Sequence, residues 1–79
     1  MTFHELATEL KSVYNSAAKG QKIVMLEVFI IKHAKYIIDQ DIKARELLHA
    51  AELAETMVPE VNRALNLSKY VELKEEFRW

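Results

Sequence analysis

Residues 22–38 constrain the fold of this chain more than any other stretch, because 12 of these 17 residues are apolar. A helix that is apolar on nearly every side must be covered on most of its faces by other elements, so the stretch predicts a central helix over residues 21–39. A buried strand is an alternative, since Ile and Val are frequent, but 17 residues is about three times the usual strand length. A membrane span needs about 20 mostly apolar residues, whereas this stretch is shorter and carries four charges.

The composition indicates one small helical domain without redox or metal chemistry. The chain has 79 residues with one Gly and one Pro, so few residues interrupt helices. It has no Cys, which excludes disulfides and thiolate metal sites and fits a reducing compartment. Eleven Lys and Arg face twelve Asp and Glu, so net charge gives no long-range attraction to nucleic acid or membrane. We expect a cytoplasmic protein with no cofactor and no membrane partner, in which any nucleic-acid binding uses a local patch.

The first predicted helix has the clearest periodicity. Thr2 followed by Glu5 predicts a capping box, in which each side chain accepts a hydrogen bond from the other residue's backbone N–H. Lys19 and Gly20 predict the end of the helix, because Gly tolerates a left-handed cap and Lys suits the negative end of the helix dipole. The link to the central helix is then one or two residues long, which predicts an antiparallel or steeply crossed pair. One helical face carries the apolar residues Phe3, Leu6, Ala7, Leu10, Val13, Tyr14 and Ala17.

Two shorter helices are predicted after the central one, over residues 42–51 and 57–67. Asp41 is the predicted N-cap of the first, and Thr56 is the predicted N-cap of the second. Pro59 fixes the start of the second, because proline is tolerated in the first turn of a helix and is costly deeper inside.

The C-terminal segment, residues 68–79, has two interpretations. Tyr70, Leu73 and Phe77 lie three and four residues apart, as on one helical face. Residues 70–74 fit a short strand equally well, and we expect the extended form. The sequence as a whole predicts an all-α domain of four helices with a possible short C-terminal strand.

The turn between the third and fourth helices has the spacing of a helix-turn-helix. Leu48, Leu53, Val58 and Val61 occupy the positions where the two helices of such a pair touch. Glu52 departs from the pattern, because a Gly often stands there to allow a left-handed turn. A proline inside the recognition helix is also unusual.

Three segments carry a resemblance to a known class of protein: residues 32–36 (KHAKY), 51–53 (AEL) and 60–74 (EVNRALNLSKYVELK). Together they resemble small prokaryotic helix-turn-helix-like modules of the kind associated with restriction and other defence proteins. The resemblance covers about residues 20–74. It implies DNA binding, with the fourth helix as the reader.

If the fourth helix enters the major groove of DNA, its N-terminal and outward residues meet the bases. Asn and Arg side chains suit adenine and guanine edges, and Lys suits phosphate. The alternative is that such residues are only solvated, and the carboxylates of Glu55 and Glu60 would repel phosphate. The candidate DNA-binding residues are Glu55, Thr56, Asn62, Arg63 and Asn66 for the bases, and Lys43, Arg45 and Lys69 for phosphate.

Three other functions compete with DNA binding. Glu46 and His49 form one Glu-x-x-His pair, but a helical di-metal site needs two such pairs, so no metal site is predicted. There is no Gly-rich phosphate loop and no nucleophile elbow, so no catalytic residue and no enzyme are predicted. Protein association is the main rival, as a homodimer or as docking onto a larger partner. Its contact would be an uncovered edge of the central helix or exposed Met57, Phe77 or Trp79.

Overall fold

The computed structural model describes residues 1–77, and these form four α-helices. They are α1 (Phe3–Ser16), α2 (Lys22–Asp39), α3 (Ala44–Ala50) and α4 (Val58–Leu67). Two short 3₁₀ turns, Glu55–Met57 and Glu75–Phe77, complete the regular structure, and no strand occurs within residues 1–77. The predicted all-α fold of four helices is confirmed.

α1 begins as predicted and ends earlier than predicted. The Glu5 N–H donates to Thr2 Oγ1 (3.1 Å) and the Thr2 N–H donates to Glu5 Oε1 (2.8 Å), which completes the capping box. The helix ends at Ser16, so the connection to α2 is residues 17–21 and not one or two residues. Gly20 lies inside this connection with φ +86, past the end of the helix.

α1 and α2 form an antiparallel hairpin that is held at both ends. Lys22, the first residue of α2, donates from Nζ to the Tyr14 carbonyl at 3.1 Å and so caps the end of α1. At the other end of the hairpin, the Tyr36 hydroxyl donates to the Met1 carbonyl at 2.9 Å. α1 ends where Ala17 adopts extended backbone geometry, and the Lys22 ammonium then binds carbonyl groups that a helix end leaves without an intrahelical partner.

The core lies between α2 and the other three helices. Leu26, Phe29 and Ile30 of α2 are fully shielded from solvent. α2 contacts both α1 and α4, so it is the central helix, as the sequence predicted. The same cluster includes buried residues from the rest of the chain: Leu6, Ala7, Leu10, Ala44, Leu47, Leu48, Ala51, Met57, Val61 and Ala64.

α2 is covered on most of its sides, and it keeps the uncovered edge that its apolar content allowed. Val24 is 48% exposed and Ile38 is 54% exposed. The reason is that α1 and α4 flank α2, while α3 packs against α1 and α4. Among the described residues, no helix has the length and apolarity needed to cross a membrane.

α2 ends in a Schellman motif, a hydrogen-bonding pattern that stops a helix with a left-handed residue. The Asp41 N–H donates to the Ile38 carbonyl (3.1 Å), and the Ile42 N–H donates to the Ile37 carbonyl (3.0 Å). Asp41 adopts the left-handed conformation with φ +51. The prediction that Asp41 caps α3 is therefore wrong: Lys43 is the N-cap, and no side chain caps this helix.

The segment after α4 contains no strand within the described residues, so the predicted strand at residues 70–74 is wrong. The Tyr70 N–H donates to the Leu67 carbonyl (2.9 Å) in a turn, and residues 71–74 have no regular structure. A lone extended segment has no neighbouring strand to hydrogen-bond with, so it gains nothing from extended geometry. Phe77 is partly buried, and Trp79 lies outside the described residues.

Candidate nucleic-acid interface

The connection between α3 and α4 begins with a second Schellman motif. The Glu52 N–H donates to the His49 carbonyl (3.0 Å), and the Leu53 N–H donates to the Leu48 carbonyl (2.8 Å). Glu52 has φ +60, which is the left-handed conformation for which a Gly often stands at this position. The chain therefore makes the predicted turn with a glutamate in the position of the glycine.

The apolar residues that defined the helix-turn-helix spacing meet in the core. Leu48 and Val61 are fully buried. Leu53 and Val58 are partly buried and pack against the same cluster. α3 and α4 are in direct contact, so the prediction that these four residues join the two helices is confirmed.

The start of α4 differs from the prediction. Thr56 lies inside the 3₁₀ turn, the N-cap of α4 is Met57, and no side chain makes a capping hydrogen bond. Met57 is only 8% exposed, so it belongs to the core and not to an exposed patch. Pro59 lies in the first turn of α4, as its missing N–H requires.

Three predicted base-reading residues share one side of α4. Asn62, Arg63 and Asn66 are all exposed. Their spacing along a helix of 3.6 residues per turn places them together, away from the buried Val61 and Ala64. We term this set of three residues the outward face of α4.

The other predicted residues lie before and after this face. Thr56 is exposed in the turn that precedes α4, and Lys69 is exposed just beyond its last residue. Lys43 and Arg45 are exposed at the start of α3, which contacts α4. Glu55 is exposed in the same turn as Thr56, so all eight candidates are accessible to a large ligand.

Both candidate arginines face carboxylates within their own chain. Arg45 Nε lies 3.2 Å from Glu55 Oε1, across the turn that joins α3 and α4. Arg63 Nη1 lies 3.9 Å from Glu27 Oε2, on α2. The second pair joins residues far apart in sequence, so no sequence signal could have revealed it.

Acidic residues surround the junction of α3 and α4. A hydrogen bond from Lys43 Nζ to Asp41 Oδ1 (2.8 Å) raises the pKa of the Lys43 ammonium. A hydrogen bond from Lys11 lowers the pKa of the Glu52 carboxyl and links α1 to the turn. Together with Glu55, these carboxylates reduce the positive potential that phosphate would meet.

The described residues offer little for metal or acid–base chemistry. Within residues 1–77, no group of three or more His, Cys, Asp or Glu residues is placed to hold a metal ion, and Glu46 and His49 are exposed on α3. A shallow groove of about 450 Å³ lies where α1 ends and α2 begins. It contains no titratable side chain, so it provides no general acid or base. It is lined by Val13, Ser16, Ala17, Ala18, Gln21 and Met25.

The chain is similar to known proteins at the level of a family. Neither the curated proteins nor the solved structures gave a match. The family model described as the HTH-like domain matches residues 2–74, which is most of the chain and includes all four helices. The chain therefore belongs to the HTH-like domain family.

Proposed function

We propose that this protein binds double-stranded DNA through α4 and has no catalytic activity. The observation that carries the proposal is the left-handed turn at Glu52, which joins α3 to α4 at helix-turn-helix spacing in a chain of the HTH-like domain family. In such a pair the second helix lies in the major groove, and its N-terminal residues contact base edges. α4 is the second helix here, so its outward face is the proposed reading surface.

The side chains on that surface suit base recognition. The amides of Asn62 and Asn66 can bond to adenine, the guanidinium of Arg63 can bond to guanine, and the Thr56 hydroxyl can bond to several base edges. Phosphate contacts position such a helix without reading sequence. We assign them to Lys43, Arg45 and Lys69.

Because both arginines form ion pairs within the chain, each must exchange a carboxylate for a group of the DNA on binding. Arg63 must leave Glu27, and Arg45 must leave Glu55, before either arginine contacts DNA. Exposed ion pairs contribute about 0–1 kcal/mol each, so a phosphate or a guanine can replace a carboxylate. Because the protein has a net charge of −1, we expect only a modest affinity for DNA. The affinity should fall steeply with salt, since each neutralised phosphate releases counterions.

An NMR titration with a short DNA duplex at low and moderate salt tests the proposal. Chemical-shift changes should concentrate in residues 55–69. Arg63→Ala should weaken specific binding by about 1–3 kcal/mol, and Lys43→Ala should weaken binding to all sequences alike. Lys35→Ala, which removes an exposed charge from α2, is the control. It should change neither specific binding nor binding to all sequences. No shifts at low salt, where non-specific binding should appear, would exclude DNA binding.

The ion pair across the turn allows a second measurement with the opposite sign. Glu55→Gln removes the carboxylate that faces Arg45 and keeps the size of the side chain. DNA affinity should rise, because Arg45 is released and a repulsive charge leaves the proposed surface. Glu75→Gln changes the net charge equally in the 3₁₀ turn beyond α4 and serves as the control. Equal gains from both variants would show that only net charge matters and would argue against an interface at α3 and α4.

We propose that the protein carries out this function in the cytoplasm of a prokaryote. The resemblance of residues 20–74 to modules of restriction and defence proteins supports that setting. Docking onto a larger protein is the rival function. In that case neither Arg63→Ala nor Lys43→Ala should matter, and a change at the partly buried Phe77 should.

A further inference from the structure

One side of α2 is apolar along the helix and only partly covered by the rest of the chain, with Ile31 also packing against the edge of the core. Val24, Ile31 and Ile38 recur every seven residues, which is close to two helical turns, and Val28 lies between the first two. Val24 and Ile38 are about half exposed, and Val28 and Ile31 are partly exposed. We term these four residues, together with the exposed Lys35 that lies among them, the outer α2 face.

The outer α2 face runs between the two helices that flank α2. On one flank, Glu27 approaches Arg63 of α4 at 3.9 Å. On the other flank, Lys32 and His33 approach Glu9 of α1 at 3.8 and 3.6 Å. α3 packs against α1 and α4. These three helices therefore leave Val24 and Ile38 exposed and bury Val28 and Ile31 only in part.

We propose that the outer α2 face binds the same face of a second copy of this chain, with the two α2 helices antiparallel. A two-fold axis at Ile31 sets Ile31 against the partner's Ile31. Val24 and Ile38 each lie seven residues from Ile31, so Val24 meets the partner's Ile38 at both ends of the contact. The half-exposed apolar residues of one copy are then covered by those of the other.

The charges on and beside this face select the antiparallel arrangement. Glu27 and Lys35 each lie four residues from Ile31, on opposite sides of it. An antiparallel pair therefore sets Glu27 level with the partner's Lys35, and this pair of opposite charges occurs twice. A parallel pair instead sets Lys35 against the partner's Lys35, where like charges repel. The Lys35 side chain is 91% exposed, so it can reach a partner.

The size of the face implies a weak dimer. α2 has 18 residues and is about 27 Å long at about 1.5 Å per residue. A single helix face buries less than the roughly 800 Å² per partner of a standard stable interface. Self-association should therefore appear at roughly 10–1,000 μM protein and not in the nanomolar range.

Sedimentation equilibrium of the protein without DNA, from about 10 μM to about 1 mM, tests the proposal. The average mass should rise toward that of a dimer. Lys35→Glu sets two carboxylates level with each other and should weaken self-association about tenfold. The double variant Glu27→Lys/Lys35→Glu exchanges the charges and should restore it. Circular dichroism of each variant shows whether the fold is retained.

Lys43→Glu is the matched control for Lys35→Glu. It makes the same change in charge, and each lysine has an aspartate of its own chain nearby: Asp39 at 3.3 Å from Lys35 and Asp41 at 2.8 Å from Lys43. Lys43 is the N-cap of α3 and lies off the outer α2 face. Self-association should be unchanged in this variant.

Single cysteines test the register, because the chain has no Cys of its own. Ile31→Cys should form an intermolecular disulfide on oxidation, since the two side chains meet at the axis. A mixture of Val24→Cys and Ile38→Cys chains should cross-link to each other, whereas Lys35→Cys alone should not. Cross-linking of Lys35→Cys to itself would indicate the parallel arrangement and overturn the assigned register.

Two outcomes would overturn the interface itself. One is a wild-type protein that stays monomeric at about 1 mM. The other is an equal loss of self-association in Lys35→Glu and Lys43→Glu, which would assign it to net charge and not to the outer α2 face. No DNA is present in these measurements, so this proposal and the proposed DNA binding can fail separately.

Discussion

The two helix pairs of this protein are joined in different ways. α1 and α2 are joined by residues 17–21, where Gly20 has φ +86 and Lys22 binds carbonyl groups at the end of α1. α3 and α4 are joined by a turn in which Glu52 has φ +60 and both hydrogen bonds of the Schellman motif are present. The first connection uses a residue that adopts positive φ freely. The second places an ordinary side chain in the left-handed region and fixes it with backbone hydrogen bonds.

The helix-turn-helix turn of this chain does not require the glycine. Each connection between consecutive helices contains one residue with positive φ: Gly20, Asp41 or Glu52. The left-handed conformation costs an L-residue about 1–2 kcal/mol. At Asp41 and Glu52 the hydrogen bonds to the preceding helix offset this cost, and the next residues, Ile42 and Leu53, pack against the core. The turn therefore depends on a backbone pattern and on the apolar residue that follows it.

The largest expected effect tests whether both helix pairs depend on one core. Phe29 is fully buried on α2 in the cluster that also holds residues of α3 and α4. Phe29→Ala should lower the free energy of unfolding by about 3–5 kcal/mol. The α3–α4 pair should unfold together with the α1–α2 hairpin, which chemical denaturation and amide exchange can measure. Phe3→Ala, at a residue that is 36% exposed, is the control and should have a much smaller effect. An α3–α4 pair that unfolds separately would contradict a shared core.

A smaller effect of opposite sign on the free energy of unfolding is expected at the turn that contains Glu52. Glu52→Gly should raise the free energy of unfolding by about 0.5–1 kcal/mol, because the left-handed penalty exceeds the extra entropy of Gly in the unfolded chain. Ala50→Gly, at the last residue of α3, should lower it by up to about 1 kcal/mol, since helical φ gives Gly no advantage there. Thermal unfolding of the two variants side by side measures the difference. A destabilised Glu52→Gly would show that the Lys11–Glu52 ion pair matters more than backbone strain.

The smallest expected effect is a pH dependence of the free energy of unfolding, and it arises within the α1–α2 hairpin. The His33 side chain is 11% exposed, and its Nε2 lies 3.6 Å from Glu9 Oε1. Burial lowers the pKa of His33 although the Glu9 carboxylate opposes the shift, and the Lys32 charge lowers it further. The unfolded chain then binds the proton more readily. The free energy of unfolding should therefore decrease as the pH falls from about 6.5 toward the lower pKa of the folded state.

Denaturation at about pH 7.5 and about pH 5 measures this dependence. His33→Gln should flatten it. His49→Gln, at an exposed residue of α3, should leave it in place. An increase in stability toward low pH would show that the attraction between Glu9 and a charged imidazole outweighs burial.

Local signals predicted much of the fold and part of the candidate site. The capping box of Thr2 and Glu5 involves residues three apart, and the helical periodicities involve residues three and four apart. The left-handed position at Glu52 followed from one spacing pattern along the chain. The exposure of Asn62, Arg63 and Asn66 followed from the helical periodicity, because they lie off the apolar face of α4.

Features set by contacts between distant residues were not predictable. α1 ends at Ser16, and its last carbonyl groups are bound by Lys22, which comes from the next helix. Asp41 suits both an N-cap and a left-handed C-cap, and only the hydrogen bonds at the end of α2 decide between them. The pairing of Arg63 with Glu27 depends on how α4 packs against α2, so the electrostatics of the site required the tertiary structure.

The connection between α1 and α2 also determines where the length of the chain can change. A Cβ atom built on Gly20 meets no other atom within 4 Å, so the space around it is open. Lys22 holds the two helix ends together through the carbonyls of Tyr14 and Ala17, without using residues 18–20. An inserted loop or a fused domain at residues 18–20 would break the single turn hydrogen bond from the Gln21 N–H to the Ala18 carbonyl, extend into solvent and leave α3 and α4 in place. The turn at Glu52 does not tolerate such an insertion, because residues 48–53 form one hydrogen-bonded motif.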